Sequence, residues 1–147
     1  MRFAFYGRVS TAEYQDPESS MGWQRDSALD LIGSVGQIVV EYFDIGCSRR
    51  LPWTDRPQAR RLLEAIARPD REFDAIVVGE AERAFCAGQL PAMTSTFVQH
   101  GVQVWLPELN GPADPENPAH QAVVLQLGAR SRREVVRARF RTTAAMR

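Results

Sequence analysis

The pattern of apolar and polar positions predicts strands that alternate with helices. Four short apolar runs are typical of buried strands, and the segments between them have the start and stop signals of helices. The predicted strands are residues 3–9, 38–43, 75–79 and 102–106. The predicted helices are residues 20–34, 57–67 and 88–99. This alternation predicts an α/β fold with three layers, in which helices flank a mostly parallel sheet of four to five strands.

The carboxyl-terminal part of the chain has a different pattern. Residues 107–118 include four prolines and are predicted to form a loop. Asn117 and Pro118 then suit the cap and the first position of a long final helix. We therefore predict two parts, a globular domain over residues 1–116 and a long helix over residues 117–147.

Charge is unevenly distributed along the chain, although the formal net charge is zero. All 18 basic residues are arginines. After residue 129, seven arginines against one acid, Glu134, give +6, whereas eleven arginines against seventeen acids give −6 before it. A basic segment beside an acidic body predicts a polyanionic partner. Codon bias explains the use of arginine instead of lysine, but it does not explain this clustering.

The predicted final helix has two stripes of residues spaced four apart. The apolar stripe is Val136, Phe140 and Ala144, and the basic stripe is Arg133, Arg137 and Arg141. The apolar stripe suits a partner chain and the basic stripe suits a polyanion. An ordinary solvated helix with surface charge is the alternative interpretation.

The two cysteines, Cys47 and Cys86, have neither the C-x-x-C spacing nor the paired histidines of a zinc site. We therefore expect free thiols, with no metal and no disulfide. The amino-terminal residues lack the pattern of a signal peptide, and no apolar run is long enough for a membrane span. These features predict a cytoplasmic protein.

Polar residues follow the ends of two predicted strands. Arg8 and Ser10 lie two residues apart at the end of the first strand, so they face the same side. Glu80, Glu82 and Arg83 follow the third strand. In open α/β sheets, ligands bind beyond the carboxyl ends of the strands, near the switch in strand order. We therefore expect a hydroxyl, arginines and a carboxylate to meet at this edge.

A further arginine is predicted at the same edge. Arg56 precedes Pro57, which disfavours helical backbone and should leave Arg56 just outside its helix. A serine among arginines suits phosphoryl transfer, because guanidinium groups match pairs of phosphate oxygens and stay charged. His100 and His120 lie in other segments, so they are interpreted as structural or surface residues and not as bases. Ser10 as a turn residue and Arg8 as a surface cation form the alternative.

Motifs in order along the chain resemble those of the serine site-specific recombinases, which include resolvases, invertases and large serine integrases. They are YGRVST from Tyr6, Gln24, the D-x-G-x-S run from Asp44, Asp55-Arg56-Pro57, Glu82-Arg83, and SRREVVRARFRT from Ser131. The resemblance covers nearly the whole chain. It implies the resolvase-like catalytic domain, followed by the start of a long interface helix.

The resemblance also implies roles for individual residues. Ser10 matches the nucleophile, and Arg8, Arg56 and Arg83 match arginines that bind the scissile phosphate. Gln24 matches a supporting polar residue. Glu82 stands where the family commonly has an aspartate that assists proton transfer. On the interface helix, Glu134, Arg137 and Arg141 match polar or basic positions, the last near the DNA backbone.

The reaction that the resemblance implies needs no cofactor. Ser10 attacks a backbone phosphate of double-stranded DNA, which leaves a 5′ phosphoserine link and a free 3′ hydroxyl. A tetramer holds four such ends while subunits exchange, and the hydroxyls then reverse the reaction. The homo-oligomer, from dimer to tetramer, is expected to form through the final helix. The implied partners are therefore double-stranded DNA and further copies of the chain, with no role for a membrane.

Two departures from the family pattern leave alternatives open. Cys86 stands where many members have another active-site arginine, so Arg49 or Arg50 substitutes, the site uses fewer arginines, or activity is impaired. We also expect an isolated catalytic domain, without the DNA-binding region that follows the helix in the family. A catalytically silent dimerisation module and a metal-dependent phosphoesterase are the alternative functions. The phosphoesterase would use Asp44, Glu80 and Glu82 as ligands.

Overall fold

The computed structural model describes residues 1–10, 17–48, 50–85 and 89–126. The strands are β1 (Arg2–Val9), β2 (Gln37–Ile45), β3 (Ala75–Val78), β4 (Gln103–Leu106) and β5 (Gly111–Pro112). The helices are α1 (Pro17–Ile32), α2 (Pro57–Ile66), α3 (Ala81–Ala84) and α4 (Gln89–Gln99). Single turns of 3₁₀ helix span Trp53–Asp55 and Pro107–Leu109. Residues 118–126 are helical at the end of the described part of the chain.

The five strands form one sheet in the order β2-β1-β3-β4-β5. The first four strands are parallel, and β5 pairs antiparallel with β4. The chain passes from β1 to β2 on one side and then returns to β3 on the other side of β1. The strand order therefore switches at β1, and this is where α/β sheets commonly bind ligands, beyond the carboxyl ends of the strands.

Apolar side chains cover both faces of the sheet, as expected for parallel strands. On one face α1 packs through Ala28 and Ile32 against Phe3 and Phe5 of β1. On the other face α2 and α4 cover β1, β3 and β4. The buried residues that α2 and α4 contribute there are Ala59, Leu62, Ile66, Leu90 and Phe97. The predicted three-layer α/β architecture is confirmed.

The main difference from the sequence prediction lies in residues 107–118, where the prediction of a loop was wrong in part. Pro107–Leu109 forms a 3₁₀ turn, and Asn110 adopts a left-handed conformation with φ 53°. This reversal brings Gly111 and Pro112 beside β4 as an edge strand. An edge position tolerates a proline because its missing N–H faces away from the sheet. The short helix α3 was also not predicted.

The final helix begins where Asn117 and Pro118 predicted it, because residues 118–126 are helical. The interface-helix residues Glu134, Arg133, Arg137 and Arg141 lie outside the described residues, as do Arg49 and Cys86. The division at residues 116 and 117 stays a prediction. No helix in the described part of the chain has both the length and the apolar character needed to span a membrane.

Candidate active site

The candidate site lies at the edge where β1, β2 and β3 end. Arg8 of β1 is level with Asp44 of β2, and Tyr6 is level with Val78 of β3. Because the strands are parallel, the residues that follow them emerge at the same edge. Ser10 is the first residue after β1 and is partly exposed there.

Gln24 of α1 is buried against the end of β1. Its Oε1 accepts a hydrogen bond from the backbone N–H of Arg8 at 3.3 Å, and its Nε2 donates to the Arg8 carbonyl at 3.1 Å. Nε2 also donates to Ser20 Oγ at 3.0 Å. The same side chain thus fixes both backbone polar groups of Arg8, two residues before Ser10. The role in the reaction that the resemblance implies for Gln24 stays a prediction.

Two glycines let α1 approach the strands closely. A Cβ atom on Gly79 would lie 2.3 Å from the backbone oxygen of Gln24, and one on Gly7 would lie 2.8 Å from its Oε1. Real Cβ atoms do not approach other atoms so closely. Any larger residue at Gly79 would therefore push α1 away from the edge of the sheet, whereas one at Gly7 would first meet the ring of Phe43 in β2 at 2.7 Å.

Arg8 is buried and joins the ends of three strands. Its Nε donates to the Arg83 carbonyl at 2.7 Å, and its Nη1 donates to the Cys47 carbonyl at 2.6 Å. Arg83 follows β3 and Cys47 follows β2, so one guanidinium group connects both segments to β1. A buried guanidinium requires such partners, because burying it without hydrogen bonds would cost much free energy.

Arg56 has no exposed surface and sits at the amino-terminal end of α2. Its backbone is extended, with φ −97° and ψ 123°, so the prediction that Pro57 keeps Arg56 outside the helix is confirmed. The guanidinium group donates four described hydrogen bonds. The acceptors are the Leu51 carbonyl at 3.0 Å, the Tyr6 hydroxyl at 3.2 Å, the Ala84 carbonyl at 2.7 Å and Gln89 Oε1 at 3.1 Å.

Asp44 is a buried carboxylate that caps α2 from a neighbouring strand. Its Oδ1 accepts from the Gln58 backbone N–H at 2.8 Å, and its Oδ2 accepts from that of Ala59 at 3.0 Å. These N–H groups lie in the first turn of the helix, where no intrahelical acceptor exists. The helix dipole also favours a negative charge at this end.

Tyr6 connects Asp44 to Arg56. Its hydroxyl donates to Asp44 Oδ2 at 2.9 Å and accepts from Arg56. Burial raises the pKa of Tyr6 well above its ordinary value, and the Arg56 guanidinium only partly offsets this effect. Burial, followed by the Asp44 carboxylate, likewise raises the pKa of the Cys47 thiol. Both groups therefore stay protonated near neutral pH, and the Tyr6 hydroxyl keeps its donor hydrogen.

Glu82 and Arg83 lie in α3, which follows β3 after Gly79 and Glu80. Both residues are partly buried. Arg83 Nε donates to Glu80 Oε2 at 3.0 Å. The guanidinium carbon of Arg83 also lies 5.2 Å from the ring centroid of Trp23, a distance typical of a cation–π contact. Arg83 is thus held at the exposed rim of the site, whereas Arg8 and Arg56 form its buried floor.

The structure brings the predicted residues of the globular part to one edge. Arg8 is bonded to both Gln24 and Arg83, and Arg56 is bonded to the carbonyl of Ala84 in the same helix as Glu82. Within the described residues, no three histidine, cysteine, aspartate or glutamate side chains are placed to bind one metal ion. Asp44, Glu80 and Glu82 therefore do not form the metal site considered from the sequence.

Sequence reasoning assigned no role at this edge to Tyr6 or Trp23, and it treated Asp44 only as a motif residue or metal ligand. It placed Glu80 at this edge but did not predict its bond to Arg83. One signal was present for Tyr6, because residues two apart on a strand share a face and Arg8 lies two positions later. The contact between Trp23 and Arg83 joins residues 60 positions apart, and no local pattern in the sequence predicts it.

A scan against models of protein families matches residues 3–147 to the family described as Resolvase, N terminal domain. No protein in a search of curated sequences matches the chain.

Solved structures share the fold. The N-terminal catalytic domain of TP901-1 integrase is 20% identical with a TM-score of 0.65, covering 91% of this chain and 96% of that one. A resolvase family site-specific recombinase from Streptococcus pneumoniae is also 20% identical, with a TM-score of 0.64 and coverage of 99% and 97%. The C-terminal catalytic domain of ISC1926 TnpA, an IS607-like serine recombinase, is 18% identical, with a TM-score of 0.59 and coverage of 73% and 70%.

Proposed function

Because the chain belongs to the family of the resolvase N-terminal domain, we propose that it is a recombinase catalytic domain that cleaves DNA through Ser10. The family implies site-specific recombination of DNA. The main observation in support of cleavage through Ser10 is the hydrogen bond from Arg8 Nε to the Arg83 carbonyl. This bond holds the end of β1, where Ser10 follows, against the helix that bears Glu82 and Arg83.

The proposed reaction is a transesterification. Oγ of Ser10 bonds to a backbone phosphorus atom and loses its proton, while the bond from phosphorus to the 3′ oxygen of the neighbouring sugar breaks. That oxygen takes up a proton and leaves as a 3′ hydroxyl. The proton that Ser10 loses balances the proton that this oxygen gains, and Glu82 is the carboxyl group proposed to assist proton transfer to or from the sugar oxygen. The phosphoester energy is retained in the phosphoserine link, so a 3′ hydroxyl reverses the steps without an external energy source.

The arginines of the site suit the charge of this transition state. A guanidinium group stays protonated at any working pH and binds phosphate oxygens through charge-assisted hydrogen bonds. Arg83 stands at the exposed rim, where a DNA phosphate can approach. Arg8 and Arg56 donate to carbonyls in the described arrangement. They therefore support the structure of the site. Either one can bind a phosphate only if its hydrogen bonds to carbonyls are replaced by hydrogen bonds to phosphate oxygens.

The proposed partners are double-stranded DNA and further copies of the chain. Arg133, Arg137 and Arg141 are proposed to contact the DNA backbone, as their spacing in the sequence predicts. Such contacts position DNA but do not choose its sequence. Double-stranded DNA of random sequence is therefore a suitable probe for the chemistry of Ser10.

The test is covalent capture of DNA. The chain is incubated with a random-sequence duplex library in the presence of a chelator, denatured, and the DNA-linked residue is identified by mass spectrometry. We expect an adduct on Ser10 and a loss of at least about a hundredfold in Ser10→Ala, because the nucleophile is removed. The matched control is Ser34→Ala, since Ser34 is exposed in the turn after α1.

Two outcomes would contradict the proposal. One is an adduct that persists in Ser10→Ala, and the other is cleavage that requires a divalent metal. Self-association without any adduct would favour the alternative of a catalytically silent dimerisation module.

A further inference from the structure

We propose that Trp23 and Glu80 are positioning residues that hold the guanidinium group of Arg83 ready to bind the scissile phosphate. This inference rests on the proposed function, because it concerns the same DNA-cleaving site. Neither residue has a role in the reaction as derived above. Trp23 belongs to α1, and Glu80 lies between β3 and α3.

The two residues constrain Arg83 in complementary ways. The Glu80 carboxylate binds Nε, the guanidinium nitrogen nearest the aliphatic part of the side chain, at 3.0 Å. It therefore fixes the direction in which the side chain extends. The indole of Trp23 lies 5.2 Å from the guanidinium carbon and limits the movement of the group on that side. Together they restrict a side chain that otherwise samples many rotamers.

Trp23 is held firmly, because its neighbour in the helix is anchored to the sheet. Gln24 is buried and bonds both backbone polar groups of Arg8. The close approach of the Gln24 backbone to Gly79 fixes the height of α1 above the strands. The position of the indole is therefore tied to the end of β1, where Ser10 follows.

Glu80 is held at the other side of Arg83. It directly follows Gly79, and it occupies the position before the first turn of α3. The Ala81 N–H that opens this turn donates to Glu108 Oε1 at 2.9 Å, which fixes the start of the helix. The carboxylate and the indole thus come from two elements that are each fixed to the sheet.

The cluster is partly open to solvent, which suits a role in binding. The side chains of Arg83 and Glu80 are 24% and 36% exposed, and Trp23 is 36% exposed. An ion pair that is partly open to solvent is screened by water and salt, so its contribution to stability is modest. An arginine that is already ordered loses less conformational entropy when it binds phosphate, and its geometry is set before the reaction starts. The cluster is therefore suited to preorganise a phosphate contact.

The test measures the rate of the Ser10–DNA adduct on the random duplex library under the same conditions for all variants. We expect Trp23→Leu to react about tenfold more slowly, because it keeps apolar volume but removes the ring face. Trp23→Phe should recover most of the rate, because its ring restores a π face. The matched control is Leu29→Ala, an exposed apolar residue on the same helix that should react at the wild-type rate.

Glu80→Gln provides a second variant. Its amide oxygen still accepts from Nε, but the charge-assisted part of the bond is lost. We therefore expect a smaller loss of rate, about threefold. Unfolding midpoints equal to that of the wild type would attribute these losses to the site and not to the fold.

A spectroscopic readout tests the contact without the reaction. Of the three tryptophans, Trp53 and Trp105 are buried, so quenching by iodide reports mainly on Trp23. We expect Arg83→Met to change this quenching, because the cation on the indole is removed. The quenching should also change when duplex DNA is added to the wild type, and much less when it is added to Arg83→Met.

The outcomes separate the two proposals. If the wild type forms no Ser10 adduct, the proposed function fails, and this inference fails with it. If the wild type forms the adduct and Trp23→Leu reacts as fast as Leu29→Ala, only the positioning role is overturned. Equal losses in Trp23→Leu and Trp23→Phe, or quenching that is unchanged in Arg83→Met, would also overturn it.

Discussion

The two edges of the parallel sheet have arginine and aspartate in very different surroundings. At the carboxyl edge, Arg56 and Asp44 are buried and joined through the Tyr6 hydroxyl. At the amino edge, Arg2 and Asp74 form an ion pair at 3.2 Å with side chains that are 53% and 47% exposed. The same two residue types are therefore expected to affect the free energy of unfolding differently at the two ends of the strands.

The comparison shows at which edge of the sheet the fold buries charged groups, which is energetically costly. A buried charge must replace all of its water with protein partners, and the loss of one partner leaves the other unsatisfied in a medium of low polarity. An exposed pair gains little because water and salt screen it. The costly groups are concentrated at the edge that also bears Ser10 and Arg83. We interpret that edge as the part of the molecule shaped by chemistry and the opposite edge as ordinary surface.

The strongest way to test this contrast is to remove an arginine from each edge. Arg56→Met keeps much of the side-chain volume but removes the cation near Asp44 and four hydrogen bonds, two of them buried and two partly buried. We expect the free energy of unfolding to fall by about 3–5 kcal/mol. Arg2→Met, the matched control, should cost less than about 1 kcal/mol. Unfolding in urea measures both, and similar losses at the two edges would contradict the comparison.

The sequence predicted the framework because local patterns determine it. The apolar runs at Phe3–Val9 and Ala75–Val78 suit buried strands, and Pro57 alone places Arg56 before its helix. The carboxyl ends of parallel strands share one edge. The pattern therefore also predicted that the segments after the first and third strands, some seventy residues apart, lie close together there. The resemblance to a family then supplied the roles of the residues.

The partners of the polar groups were not predictable in this way. Arg8 and Arg56 were expected to face a phosphate, but in the structure they donate to the Cys47 and Ala84 carbonyls. Those contacts depend on how the segments that follow β2 and β3 approach β1. Such an approach is a tertiary outcome with no local signal in the sequence. The same reason applies to the capping of α2 by Asp44, a residue of another strand.

A second test concerns the packing of α1 against the carboxyl edge of the sheet, at the contact between Gly79 and Gln24. A methyl group on Gly79 would meet backbone atoms of Gln24 at 2.3 and 2.7 Å, so a whole helix must shift. We expect Gly79→Ala to lower the free energy of unfolding by about 1–3 kcal/mol.

The matched control for Gly79→Ala is Gly22→Ala, which lies in α1, the helix that the Gly79 variant is expected to shift. Apart from its chain neighbours and the backbone of its own helix, no described atom lies within 4 Å of the added methyl group, and alanine favours the helix. The free energy of unfolding should therefore rise by about 0.5–1 kcal/mol. Changes of the same sign in the two variants would show that the close contact at Gly79 does not govern the packing of α1.

The smallest expected effect concerns the pH dependence at the amino edge. Hydrogen bonds from the Arg2 side chain, and then from its backbone N–H at 3.0 Å, hold the pKa of Asp74 below its ordinary value. The folded state therefore releases this proton more readily than the unfolded chain does. The resulting stability is present above the pKa of an unfolded aspartate, about 3.9, and is lost as the pH falls through the lower folded value.

Replacing Asp74 by asparagine should remove this dependence. We expect a plot of the free energy of unfolding against pH to fall less steeply for Asp74→Asn than for the wild type between about pH 5 and pH 2. The control is Asp70→Asn, an exposed aspartate four positions earlier. Because Asp74 is exposed and screened, the change in slope should be small and should shrink further in high salt. A slope that is unchanged in Asp74→Asn at low salt would mean that Arg2 does not stabilise the charged carboxylate. The amino edge would then contribute even less than an ordinary surface ion pair.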